Sequence, residues 1–228
     1  MSFTNTPPQI SIPIKGQDAT FLVHQIYCVG RNYRKHMAEM GYKNTKQVPF
    51  VLFLKPPAAV VLNNQEVSIP KFTENFQHEV ELVIVIGKEG KNITVKNALD
   101  FVYGYSVGID LTCRDLQANA KMKGRPWTLA KSLQNSAPIS DITRVENCGH
   151  LSEGKIQLRV NNTNRQKSNL KDMIRNVAEI ISEISAYYTL YPGDLIFTGT
   201  PEGVGKLEKG DNIFAEIEGL QPLTISIS

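Results

Sequence analysis

QHEVELVIVIG, residues 77–87, reads as a β-strand: a short run rich in β-branched residues, closed by glycine, has strand length and strand composition. Its opening carries the informative pattern. Glu79 and Glu81 are two apart, so in an extended chain both carboxylates point to one face while His78 and Val80 point to the other. Like charges held that close need a cation if the site is partly buried. A competing reading leaves both on the solvated face of an edge strand, paired with nearby lysines, and spacing by itself does not separate the two. His78-Glu79 could also open a zinc-binding HExxH helix, but Leu82 stands where the second histidine belongs and the segment is strand-like.

Outward from this stretch, further strand-length apolar runs recur between turn residues, at 26–30, 49–56, 58–63, 103–110, 155–161, 194–200 and 212–219. YGYSVGID at 103–110 ends on a third carboxylate, Asp110. Three convergent carboxylates without a thiolate suit a hard cation, Mg2+ or Mn2+ or else Ca2+, better than Zn2+. One long helix is expected where Leu170, Met173, Ile174, Val177, Ile180, Ile181 and Ile184 recur three or four apart, capped by Asn169 and ending at Tyr188 to Tyr191 before Pro192-Gly193-Asp194. Shorter helices are expected at 32–41 and 113–124, each ending on a glycine. The pattern is strand-dominated α+β. No repeat or low-complexity linker divides it, so the reading is one catalytic domain at 21–228 after an N-terminal extension at 1–20.

Composition narrows the function. The 228 residues carry a formal net charge of +3 with the basic residues dispersed, which lacks the footprint of a nucleic-acid binder. No apolar run reaches the roughly eighteen residues of a membrane span, and the N-terminus has no secretory pattern, so a soluble, cytosolic protein acting on a small molecule is expected. Cys28, Cys113 and Cys148 are odd in number and widely spaced, which argues for free thiols.

CVGRNYRKHMAEMG at 28–41, FLKPPAAV at 53–60, HEVELVIVIG at 78–87, GYSVGIDLTCRDLQANAKMKGRPWTLAKS at 104–132 and LYPGDLIFTGTPEGVG at 190–205 together resemble the fumarylacetoacetate hydrolase family, in particular its short acylpyruvate hydrolase-like members. The resemblance implies a mixed β-sandwich roll, assembled as a homodimer, with a metal held by Glu79, Glu81 and Asp110. It implies that His36 and Glu39 activate water, that Lys131 stabilises an oxyanion, and that Arg114, Gln117 and Thr200 bind substrate. General chemistry agrees for His36 and Glu39: i and i+3 are helix neighbours, and a carboxylate fixes the tautomer of an imidazole and raises its basicity. The glycine-rich 198–205 segment lacks the Lys-Ser/Thr ending of a P-loop and reads as a turn, which explains Gly203 and Gly205 but not Thr200. Lys55 either faces the site or supports the metal ligands.

The expected reaction is metal-dependent hydrolysis of the C3–C4 bond of an acylpyruvate. Oxaloacetate decarboxylation, and isomerase or hydratase chemistry on a 2-oxo dioic acid, are alternatives at the same metal site. A non-catalytic binding module is a further alternative, opposed by the joint presence of His36, Glu39 and Lys131. The chain lacks the large N-terminal domain of full-length fumarylacetoacetases, which weighs against fumarylacetoacetate as substrate.

Overall fold

The computed structural model describes residues 9–42 and 48–228; the part of the expected extension at 1–8 lies outside the described residues. The 77–87 stretch forms two strands, Phe76–His78 and Val80–Ile86. Val80–Ile86 lies inside a six-stranded sheet, between Val102–Ile109 and Leu195–Phe197, and every one of its residues is buried. This overturns the edge-strand alternative. Ile26–Val29 and Leu52–Lys55 complete one side of the sheet and Thr143–Arg144 the other; Leu195–Phe197 and Ile26–Val29 run parallel, the remaining pairs antiparallel. Both faces of the central strand are covered. Val80, Leu82, Ile84 and Ile86 enter the larger core, whereas Val83 and Val85 enter a second, smaller one. Double burial explains why the run is continuously apolar instead of alternating.

A five-stranded sheet in the order Thr163–Asn169, Lys155–Val160, Asn212–Ile217, Leu223–Ile227, Glu66–Val67 supplies the opposite wall of the larger core through Ile156, Leu158, Ile213, Ala215 and Ile225. The hairpin of Ser11–Pro13 and Thr20–Leu22 closes the smaller core, where Ile12 is fully buried. The result is a strand-dominated α+β sandwich.

The long helix differs from its expectation. Asn169 caps only a 3₁₀ turn, Leu170–Asp172, and the α-helix begins at Val177 and ends at Tyr187. A second cap starts it, Asn176 with Glu179 in a reciprocal capping box. The break has a tertiary cause: Ile174 N–H donates to Asn32 O at 2.7 Å and Arg175 N–H to Asn32 Oδ1 at 2.7 Å, which holds the chain extended there. The apolar period continues across the break because Leu170, Met173, Ile180 and Ile184 all pack on one core. The two shorter helices form as Arg34–Glu39 and Arg114–Met122. The expected strand at 58–63 is a 3₁₀ turn, Pro57–Ala59, followed by the short strand Val60–Val61. Cys28 and Cys113 are buried, Cys148 is half-buried, and all three are free.

Candidate active site

The sheet ladder brings the carboxylates together. Glu81 lies opposite Gly108 and Val80 opposite Ile109, and Asp110 N–H donates to Glu79 O at 2.8 Å, so the pairing carries one step past the strand ends. Directly opposed residues share a face, as do residues two apart. Glu79, Glu81 and Asp110 therefore converge, with one ligand oxygen from each lying within 4.8 Å of the others, and all three are buried.

Cations surround two of the three. Lys131 Nζ donates to Glu79 Oε2 at 2.7 Å, Asp110 Oδ2 at 2.5 Å and Thr112 Oγ1 at 2.6 Å, so its three hydrogens are all engaged. Arg114 pairs with the other Glu79 oxygen and donates to Gln117 Oε1 at 2.6 Å. Burial pushes the Glu79 carboxyl up, but Lys131 and then Arg114 outweigh it and hold the group well below the usual carboxylate range. Lys55, fully buried, lies 3.0 Å from Asp110 Oδ1 yet spends its hydrogens on Leu111 O, Lys131 O and Ser136 Oγ. It backs Asp110 and leaves Asp110 Oδ1 buried without a hydrogen bond. Glu81 differs again. Burial, then the charges of Asp110 and Glu79, push its carboxyl well above the ordinary range, and among the described residues no basic side chain pairs with it. An all-oxygen donor set containing a buried carboxylate oxygen with no hydrogen bond and a carboxylate with no paired basic side chain among the described residues fits a hard divalent cation.

The helix Arg34–Glu39 sets His36 Nδ1 3.0 Å from Glu39 Oε2, while Glu39 Oε1 accepts Gly203 N–H at 2.9 Å. Burial alone would raise the Glu39 carboxyl; the hydrogen bonds from His36 and Gly203 lower it. With Nδ1 committed to Glu39, Nε2 is the nitrogen left to act as a base. Gly203 requires glycine, since φ is +95° and a Cβ would meet Arg165 O at 2.1 Å. Gly199, also at φ +95°, donates its N–H to Glu81 Oε2 at 2.7 Å. Gly199 and Gly203, not Gly205, are thus the positions where this turn demands glycine.

Thr200 Oγ1 donates to Val80 O at 2.8 Å and accepts from Gln166 Nε2 at 2.8 Å. Gln166 also accepts from Val80 N–H at 3.0 Å and contacts His78 Nδ1 at 2.9 Å. Sequence reasoning missed it, because it is the one fully buried residue in the polar strand TNRQKSN. Of the nine expected site residues, all but Glu39 line one cavity, and Glu39 stands behind His36. Arg31, Tyr42, Lys121 and Trp127 line it too, unforeseen from the sequence. Burial, followed by the charge of Arg114, pushes the Lys121 ammonium down to about 8.

Comparison with known proteins adds to this geometry. The family model described as "Fumarylacetoacetate (FAA) hydrolase C-terminal" matches residues 25–228. A crystal structure of fumarylpyruvate hydrolase from Pseudomonas aeruginosa in complex with Mn2+ and pyruvate is 40% identical, covers 100% of this chain and 99% of its own, and superposes with a TM-score of 0.97. A fumarylpyruvate hydrolase of Ralstonia is 41% identical over 175 residues, 77% of this chain and 91% of that protein. A mitochondrial oxaloacetate tautomerase of Arabidopsis thaliana is 41% identical over 203 residues, 89% of this chain and 90% of that protein.

Proposed function

The chain belongs to the fumarylacetoacetate hydrolase family, and we propose that it is a divalent-metal-dependent enzyme that hydrolyses the C3–C4 bond of an acylpyruvate to pyruvate and a carboxylic acid. The observation that carries this reading is that the buried trio Glu79, Glu81, Asp110 and the imidazole of His36 open on one cavity. Glu79, Glu81 and Asp110 would hold the cation, Mg2+ or Mn2+ or else Ca2+, which when bound supplies Lewis acidity and a chelating template for a C1 carboxylate and C2 oxo group. His36 Nε2 takes a proton from water, and Glu39 stabilises the imidazolium that results. The hydroxide adds to the C4 carbonyl, forming a C–O bond as the carbonyl pair moves onto oxygen. Collapse of that adduct breaks C3–C4, and the bonding pair passes to C3 as the enolate of pyruvate, which takes up there the proton that His36 had removed from water. Arg114 and Gln117 orient the substrate, with Thr200 at the carboxylate end. Lys131 can donate to a substrate oxyanion only by releasing one of its three present bonds, so it divides its hydrogens between ligand support and catalysis.

The second reading, chemistry on oxaloacetate, is favoured by the similarity to oxaloacetate tautomerases. Decarboxylation or keto–enol interconversion would use the same trio and need no attacking water. Like an isomerase from Mycobacterium marinum that shares this fold at a TM-score of 0.80, the chain could also act on a related dioic acid. No helix of the described residues is long and apolar enough to cross a membrane. We place the enzyme in the cytosol as a homodimer, with residues 21–228 as its catalytic unit.

Turnover of acetylpyruvate, fumarylpyruvate and oxaloacetate by metal-stripped protein, with and without added Mg2+ or Mn2+, tests both readings. Hydrolysis restored by metal, abolished in Glu79→Ala and selectively lost in His36→Ala, is the expected result. Turnover of oxaloacetate alone, undiminished in His36→Ala, would replace hydrolysis with the second reading.

A further inference from the structure

The ladder is interrupted between the two glutamates of the trio. Along one side of the strands Phe76–His78 and Val80–Ile86, Gly205 lies opposite His78, and Leu195–Phe197 lies opposite Val83, Ile84 and Val85. Between these two paired places the chain departs to make the turn that follows Phe197, with Thr198 N–H still reaching Leu82 O at 3.0 Å. At Val80 side chains take the place of a strand. Gln166 Oε1 accepts Val80 N–H at 3.0 Å, and Thr200 Oγ1 donates to Val80 O at 2.8 Å. Val80 is the single residue between Glu79 and Glu81, so its backbone angles decide whether the two carboxylates share a face.

The direction of every hydrogen bond in this patch follows from partners that allow no choice. Val80 N–H can only donate, and Pro201 O, 2.9 Å from Gln166 Nε2, can only accept, so the Gln166 amide has one orientation. Its Oε1 then also faces His78 Nδ1, 2.9 Å away, and that nitrogen must carry the hydrogen. Gln166 Nε2 gives its other hydrogen to Thr200 Oγ1 at 2.8 Å, whose own hydrogen goes to Val80 O. The donors thus run from His78 to Gln166 to Thr200 to Val80, and all four residues are buried. His78 Nε2 is buried with no hydrogen-bond partner among the described residues, which leaves Gln166 as the polar anchor of the ring.

Resting on the reading of Glu79, Glu81 and Asp110 as metal ligands, we propose that His78 is a positioning residue for that metal site. Its Nδ1–H pins Gln166, Gln166 and Thr200 hold Val80 extended, and the angle between the Glu79 and Glu81 carboxylates is thereby set in advance of the ion. Strand alternation turns His78 away from both ligands, so it acts on them only through this relay. The ladder to Val102–Ile109 holds the other side of the strand without help from the relay. Loss of the His78 donor therefore loosens the ligand pair while the sheet stays formed, and metal affinity is the property that reports it.

Metal-stripped protein titrated with Mn2+ by calorimetry tests this for wild type, His78→Leu, His78→Gln and His78→Asn, with thermal melting of each metal-free protein as the check of folding. Asparagine carries its amide nitrogen as many bonds from Cβ as Nδ1 lies, and glutamine as many as Nε2, so asparagine keeps a donor where Nδ1 stood and glutamine does not. Mn2+ affinity lowered roughly tenfold in His78→Leu and His78→Gln, with most of the loss recovered in His78→Asn, is the expected result. If His78→Leu does not fold, the glutamine and asparagine variants decide between them. Wild-type Mn2+ affinity in a folded His78→Leu or His78→Gln, or an equal loss in His78→Asn and His78→Gln, overturns the positioning role while leaving the proposed function standing. If the wild-type protein binds no Mn2+, the reading of the trio as metal ligands falls, and the role of His78 with it.

Discussion

Glu81 is the residue whose surroundings ask most plainly for something more. Its neighbours across the cluster are negative, and its one anchoring partner among the described residues is a backbone N–H from Gly199. Glu81→Gln keeps an acceptor for that N–H and replaces a carboxyl whose charged form burial and the two neighbouring carboxylates oppose. Metal-free Glu81→Gln is therefore expected to melt at or above the temperature of the metal-free wild type, while added Mn2+ raises the melting point of wild type alone; scanning fluorimetry with and without the ion reads both arms. A variant that loses stability without metal yet responds fully to it would remove Glu81 from the ligand set. The trio was legible in part: a period of two put Glu79 and Glu81 on a shared face and Asp110 at a strand end, but the family resemblance was needed to prefer a site over a solvated edge strand. Gln166, Arg31 and Lys121 were not, since nothing local to a sequence window distinguishes a buried glutamine in a polar strand, or a lysine near an aromatic ring, from solvated ones.

Among the elements, the short helix Arg34–Glu39 depends on a neighbour far along the chain. Asn32, fully buried just before it, donates to Arg175 O at 2.9 Å and Thr198 O at 2.8 Å while accepting from Arg175 N–H. This one side chain joins the His36 helix, the lead-in to the helix Val177–Tyr187 and the end of the strand Leu195–Phe197. Asn32→Ala strands buried backbone groups, and a loss of about 1–3 kcal/mol is expected from urea unfolding, accompanied by a fall in kcat as His36 loses its fixed entry. Stability lost with kcat unchanged would mean that the helix is positioned by Glu39 and Gly203 instead. The same contacts explain why helix periodicity was a poor guide to the start of Val177–Tyr187. Apolar spacing reports which residues meet the core, and a chain that leaves and resumes the helix can keep the spacing. The caps were readable, but Asn169 and Asn176 are both good caps, and only the tertiary contacts to Asn32 decide what each one starts.

At the scale of the whole molecule, two sheets share one core, and Gln166 is where the second sheet reaches the site formed on the first. It accepts from Val80 N–H, between Glu79 and Glu81 in the chain, and donates to Thr200 Oγ1 and Pro201 O. Gln166→Leu should lower stability by about 1–3 kcal/mol through the groups left unpaired and weaken pyruvate binding to the metal-loaded protein, read by calorimetry. Full pyruvate affinity in the folded variant would confine Gln166 to a structural part. A strand-dominated α+β class was accessible from many short apolar runs and the sandwich only through the family resemblance, whereas sheet order was not legible, because pairing partners such as Leu195–Phe197 and Ile26–Val29 are separated by most of the chain. The turn at 198–205 has a bearing on how this scaffold could be diversified. Gly199 N–H fastens Glu81 and Gly203 N–H fastens Glu39, only four residues apart. Lengthening or shortening the chain between these two glycines would throw the proposed metal site and the proposed base out of step, so variation compatible with the proposed activity has to come by substitution of other cavity-lining residues such as Tyr42 and Trp127, with the loop length of the turn left intact.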